Sequence, residues 1–266
     1  MDKEKNKLPV LATLHKSIVT IADNSLVLFK ALLLPSIIMW LVFLGQRLMQ
    51  QHGKALIDDG LNISKTAFYM SMSSVGAFII YVIYSAVLAI ICHRVILLGK
   101  ESLTSNFGIY FSRRVLKYFG WLILFGIPIL IGYMAIAALA ALLNSMDYYE
   151  VITLLHRAWS KAGMVIVTFI IAPFILVLPA TAVDEERPFS KARLTVRGNT
   201  IRLAFVLIIP MLIGILTVWA LEYFGPENIN ITYNVFIGLI FFVFMVFETA
   251  ALAISYKTLA YDRKNT

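Results

Sequence analysis

Apolar residues come in six long runs separated by short polar straps: about Leu26–Gly45, Phe68–Leu88, Phe119–Leu143, Ala162–Val183, Leu203–Leu221 and Tyr233–Ser255. Each run approaches the twenty or so residues that an α-helix, rising 1.5 Å per residue, needs to cross a hydrocarbon core about 30 Å thick. Helix is the conformation open to such a run in lipid, because each backbone N–H and C=O must find its partner within the segment. A β-barrel would need alternating segments of about ten residues, and these runs are continuous. The pattern predicts an all-α integral membrane protein with six transmembrane helices.

The runs also repeat in pairs. Pro35, Pro128 and Pro210 stand in the first half of the first, third and fifth runs. Eleven positions before Pro35 and Pro210 lie Asn24 and Asn199, and Lys117 takes that place before Pro128. A short amphipathic stretch precedes each odd run: Leu11, Leu14, Ile18 and Ile21; then Phe107, Tyr110, Phe111, Arg114 and Tyr118; then, more weakly, Phe189, Ala192 and Val196. Apolar residues at this helical spacing, with basic residues between them, describe helices lying in a membrane interface. The expected architecture is three helical hairpins, each an interfacial helix, a proline-bearing span and a returning span. Residues 1–25 form an N-terminal amphipathic segment, 26–259 the six-span membrane domain and 260–266 a tail.

Composition agrees. Hydrophobic residues make up 60% of 266 positions and charged residues 14%, against about 45–50% and about 25% in soluble domains. In such a chain a formal charge of +8 says less about nucleic acid, which is not expected as a partner, than about orientation. The N-terminal segment, the straps after the second and fourth runs and the tail carry eighteen Lys and Arg; the three opposite loops carry five. By the positive-inside rule both termini and both long straps are cytoplasmic. The basic start at Lys3, Lys5 and Lys7 is not followed by a cleavable leader pattern, so the first helix is expected to remain as a signal anchor. Two acceptor sequons, at Asn62 and Asn230, fall in outward loops and are read as chance.

Candidate chemistry is sparse. One cysteine, Cys92, excludes an internal disulfide and a CxxC site. His15, His52, His93 and His156 are scattered, and none has a second His or carboxylate at i+3 or i+4 within a run, so no metal is expected. His93 and Arg94 directly follow the second run and read as a headgroup-level anchor. Neither a nucleophile elbow, a zincin motif, a phosphate-binding loop nor a dinucleotide fingerprint occurs. No cofactor and no enzymatic activity are expected.

Three features remain as candidate functional positions. Glu248 is the only formal charge deep inside a run, sharing a helical face with Ala251 and Ser255; it is either an ion-coupling acid or a neutral Glu hydrogen-bonded to another helix. Asp184, Glu185 and Glu186 stand beside Arg187, Lys191, Arg193, Arg197 and Arg202, either as a docking surface or as a self-paired strap whose cations meet phospholipid headgroups. Gly198 and Asn199 read as the end of the interfacial helix, Gly being the usual residue there.

Pro179-Ala180-x-Ala182-Val183-Asp184-Glu185, followed by Phe189, Ala192, Thr195-x-Arg197-Gly198-Asn199 and Arg202, resembles the diagnostic stretch of a bacterial group. That group includes YciC-like inner-membrane proteins and the membrane domain attached to some glycerophosphodiester phosphodiesterases. The resemblance implies a bacterial cytoplasmic-membrane protein. Phosphodiesterase chemistry in that group belongs to a separate soluble barrel of roughly 250 residues, and no active-site residue carries over. The expected function is to organise membrane lipid, through anionic headgroups, or a partner membrane protein at the cytoplasmic face. The alternatives are a small transporter or lipid-translocating protein using Glu248 and, after it, an intramembrane enzyme.

Overall fold

The computed structural model describes residues 7–58, 63–103, 112–144, 163, 165–224 and 231–261. Among these, every regular element is helical: α1 (Val10–Asp23), α2 (Ser25–Asp58), α3 (Ile63–Leu98), a 3-10 turn (Lys100–Leu103), α4 (Arg113–Asn144), α5 (Val177–Ala182), α6 (Pro188–Val196), α7 (Thr200–Phe224) and α8 (Ile231–Ala260). Residues 165–171 are helical as well.

Among the described residues four stretches are long and apolar enough to cross a membrane: Ile79–Leu98, Arg113–Gly132, Thr200–Leu221 and Gly238–Ala260. A fifth forms if the two parts of α2, Ser25–Leu33 and Ser36–Val42, which meet at 50°, are taken as one bent span. Pro35 lies at that bend, and a proline there has no backbone N–H to bond one turn back. Helices α4 and α7 run through Pro128 and Pro210 without a break. The three prolines are therefore not alike in what they do to their helices.

The fourth expected run departs most from its pattern. Ala162–Val183 is not one helix: residues 165–171 are helical, 172–176 form turns, and α5 is only six residues long. Pro173 and Pro179 each remove a backbone donor, and Phe174 and Ile175 both bond back to the carbonyl of Ile171, at 2.9 and 3.0 Å. The segment is nonetheless deeply covered, with Ala172, Ile175, Leu176, Val177, Leu178 and Ala180 all buried. Hydropathy alone cannot distinguish such burial within the protein from burial in lipid.

Of the short helices expected before the odd runs, α1 and α6 form. Phe107, Tyr110 and Phe111 lie outside the described residues, as do both sequon asparagines, while Arg114 and Tyr118 already belong to α4.

Packing is concentrated at one end. The core takes α3 from Tyr84 to Ile96, α8 from Val246 to Leu259, the opening turns of α7 (Leu203, Ala204, Val206, Ile208), all of α5, and the inner faces of α1 and α6. Away from that end, side chains such as Leu130, Ile131, Met134, Leu216 and Val243 are largely exposed. This packed end also carries Arg94, the start of α4 and the 187–202 strap, and is called the strap end below.

Toward the other end, α7 and α8 meet through Gly214. A Cβ added there would lie 3.2 Å from the Phe244 ring, so the missing side chain sets how closely the two helices approach. Gly214→Val should cost about 1–3 kcal/mol by overpacking, measured as thermal unfolding in detergent. Combining it with Phe244→Ala should recover part of that loss. Strictly additive losses would mean that the two residues do not share this contact.

Candidate functional site

The acidic pair Asp184–Glu185 is the hub of the strap end. It follows α5 in a Schellman ending: the Glu185 N–H bonds to the Ala180 carbonyl at 3.0 Å and the Asp184 N–H to the Thr181 carbonyl at 3.2 Å. Such an ending needs a left-handed residue, and Asp184 supplies it with φ +59°. Glycine usually fills this position; Asp and Asn are the side chains that tolerate it best.

Two arginines from other helices converge on the Asp184 carboxylate. Arg114 of α4 donates through Nε at 2.8 Å to Oδ1 and through Nη2 to Oδ2, and Arg94 of α3 donates through Nη1 at 3.3 Å. The same Arg94 nitrogen reaches the Ala182 carbonyl at 3.0 Å, placing a cation on the last turn of α5, where the peptide dipoles favour it. Partial burial pushes the Asp184 carboxyl upward. The Arg114 hydrogen bond and charge, with those of Arg94, outweigh it and hold the carboxyl below the usual aspartate range.

Glu185 turns the other way. Its Oε1 accepts from Lys191 of α6 and, at 3.0 Å, from the Tyr256 hydroxyl of α8. Lys191 also sits 5.8 Å from the centre of the Tyr261 ring, which meets Tyr256 edge-on. Two neighbouring carboxylates thus bind α3 and α4 on one side, α6 and α8 on the other. Phe189 of α6 adds an apolar tie, stacked between Trp121 and Phe174 at 5.8 and 5.5 Å.

A second constellation fixes the chain ahead of α1. Asn199 Oδ1 accepts from the Leu8 N–H at 2.8 Å, and Arg202 Nη1 donates to the Leu8 carbonyl at 3.1 Å. Both backbone groups of one buried residue are clamped by two side chains of the T-x-R-G-N-x-x-R stretch. Arg197 and Gly198 make the turn that delivers them, with Arg197 at φ −52°, ψ 119° and Gly198 at φ +85°, a type II turn that requires Gly at its third position. The Asn199 N–H closes that turn on Val196 at 2.7 Å. Gly198 does end α6, as expected, and the Asn199 side chain goes further by holding Leu8.

The remaining candidates are apart from these. Arg197 is exposed, and the Ser255 hydroxyl is buried and donates to Ala251 at 2.7 Å. Glu248 is half-buried in mid-helix, within electrostatic reach of Tyr81 on α3. His93 is not a headgroup anchor: it is fully buried, with Nε2 3.1 Å from the Tyr118 hydroxyl. Among the described residues no group of three His, Cys, Asp or Glu side chains could hold a metal ion.

Residue spacing marked Asp184, Asn199 and Arg202 but not Arg94, Arg114, Tyr256 or Leu8. No protein-family model, curated protein or solved structure matches the chain.

The two roles of Asp184 can be separated. Asp184→Asn keeps left-handed tolerance and loses the charge; Asp184→Ala loses both, and should be less stable than the Asn variant by about 1 kcal/mol. Because the folded carboxyl is depressed, its ion-pair contribution is full above the usual aspartate range and disappears as pH falls through the lowered value. Acid titration of unfolding in detergent should show this loss in the parent and not in Asp184→Asn. Parallel titrations would remove Asp184 from the acid response.

Proposed function

We propose that the chain is a six-span protein of the bacterial cytoplasmic membrane, arranged as three hairpins with both termini cytoplasmic. It organises anionic lipid or a partner membrane protein at that face and catalyses no reaction. The fourth crossing, in this reading, is the broken segment 162–183. The resemblance of the 179–202 stretch to YciC-like proteins supports the location, and the eighteen-to-five distribution of basic residues supports the orientation.

One observation carries the functional reading. At the strap end Asp184 and Glu185 are engaged by Arg94, Arg114 and Lys191, whereas Lys16, Lys30, Arg113, Lys117, Arg187, Arg193, Arg197 and Lys257 are exposed. With Asp184 and Glu185 paired to cations of the bundle, these eight exposed cations outnumber the exposed acids Asp23, Glu101 and Glu186 and leave a basic rim around the bundle, suited to lipid phosphates.

Each such cation contributes about 1 kcal/mol near an anionic surface, decaying over a Debye length of about 10 Å. Replacing Arg187, Arg193 and Arg197 together by Gln should weaken retention of anionic lipid, read by native mass spectrometry, and flatten its salt dependence. Arg202 is left alone because it holds Leu8. Unchanged lipid content would overturn the reading. Orientation is checked in the same membranes: cysteines at Ser145 and Asn228 should react with an impermeant thiol reagent from outside and one at Ser190 should not, Cys92 being buried.

A transport reading has the position of Glu248 in its favour, since carboxyl groups in mid-membrane commonly mark ion paths. Under it, Glu248→Gln should fold normally yet abolish pH-dependent flux in proteoliposomes. Under the lipid-organising reading the same variant keeps both folding and lipid retention, because the amide preserves shape and hydrogen-bonding capacity.

A further inference from the structure

Helix α1 divides into three sectors. Facing the bundle are Thr13, Leu14 and Ser17, all buried, with Val10 and Ile21 partly covered. On one flank, Leu11 is 78% exposed and Ile18 57% exposed, two turns apart on a single line with Ala22. The opposite flank carries Lys16 and Asp23, both exposed. A helix lying on a water-facing surface would turn its largest aliphatic side chains toward the protein. Here two of the largest point away, while two hydroxyl residues point in.

The inward sector explains this choice. Thr13 and Ser17 are small residues one turn apart, and the Ser17 hydroxyl donates to the Thr13 carbonyl at 2.7 Å, so its burial strands no donor. Helix α1 packs chiefly on α8, which is buried all round from Thr249 to Tyr256 and presents Ala250, Ala253 and Ile254 to Ile21. Small residues on both partners let backbones approach closely. Helices associate in this way where apolar side chains gain nothing by leaving their surroundings.

The exposed flank is also continuous with a larger apolar surface. Only Asn24 separates α1 from α2, and there the outward residues are Leu26 and Phe29, each 64% exposed, then Leu33. These belong to the bent pair Ser25–Val42 that qualifies as a fifth span. Lys16 on the polar flank of α1 and Lys30 at the start of α2 supply cations at the border of that surface, and both are exposed.

We infer that α1 lies embedded in one leaflet, with Leu11 and Ile18 against fatty-acyl chains and Lys16 among headgroup phosphates. Its ligand is the bilayer itself, and the Leu8 clamp to Asn199 and Arg202 pins its leading end to the bundle. The inference rests on the lipid-organising reading, to which it adds an acyl-chain contact that the basic rim cannot make.

The test uses the full chain with Cys92→Ala, reconstituted in vesicles of phosphatidylethanolamine and phosphatidylglycerol. Single variants Leu11→Cys, Ile18→Cys and Lys16→Cys carry an environment-sensitive fluorophore. Labels at positions 11 and 18 should be quenched several-fold more by acyl-chain nitroxide lipids than by aqueous iodide, and the label at 16 should show the reverse preference. Iodide quenching at 11 and 18 would overturn the inference, as would spin–spin broadening between copies carrying nitroxides at 18, which would make a second copy the occupant. Failure here with lipid retention still sensitive to Arg187, Arg193 and Arg197 would sink the α1 assignment alone. Acyl-chain quenching together with unchanged retention in that triple variant would sink the basic-rim reading alone.

Discussion

Two adjacent carboxylates on a left-handed turn hold the strap end together. Helix α5 is too short to persist by propensity, since helices under about a dozen residues depend on tertiary packing. Its end is fixed because Asp184 adopts φ +59° and closes the Schellman bonds. That conformation points Asp184 toward Arg94 and Arg114 and leaves Glu185 facing Lys191 and Tyr256. Removal of one partner from such a set leaves the others unbalanced in a partly desolvated site, so the network is stronger as a determinant of geometry than as a sum of exposed ion pairs.

This placement accounts for where the protein is tightly packed. Helices that share an apolar solvent with their surroundings gain little by contact with one another, so their ordering falls to close backbone approach and to polar ties. The polar ties described here cluster at the strap end, and so does the core: three-fifths of Ile79–Leu98 is buried, against less than a fifth of Arg113–Gly132. Away from it, one contact of the other kind, Gly214 against Phe244, brings α7 and α8 together.

Much of this was legible in the sequence. The apolar runs announced helices, and all regular structure in the described residues is helical. Among the described residues four helices, or five with the bent pair, meet the length and hydropathy needed to cross; within the run at Ala162–Val183 residues 172–176 form turns beside Pro173, whose missing backbone donor hydropathy does not count. Asp184, Asn199 and Arg202 stood out by type and position, and each proves to organise structure. Their partners did not stand out, because Arg94 is 90 residues from Asp184 and Leu8 is 191 from Asn199, and sequence pattern reports neighbours one or two turns away. His93 was misplaced for a related reason: a polar residue after an apolar run looks exposed unless one knows that Tyr118 will meet it.

The Leu8 clamp has a consequence in time. Leu8 is synthesised 191 residues before Asn199 and 194 before Arg202. At translation rates of about 5–20 residues per second, its backbone N–H and C=O wait roughly 10 to 40 seconds for the side chains that satisfy them. Until then water or lipid headgroups must hold those groups, and α1 has no fixed leading end. An early segment of the chain is thus locked by a late one, and a ribosome stalled before the fifth run would leave the N-terminal helix unlatched.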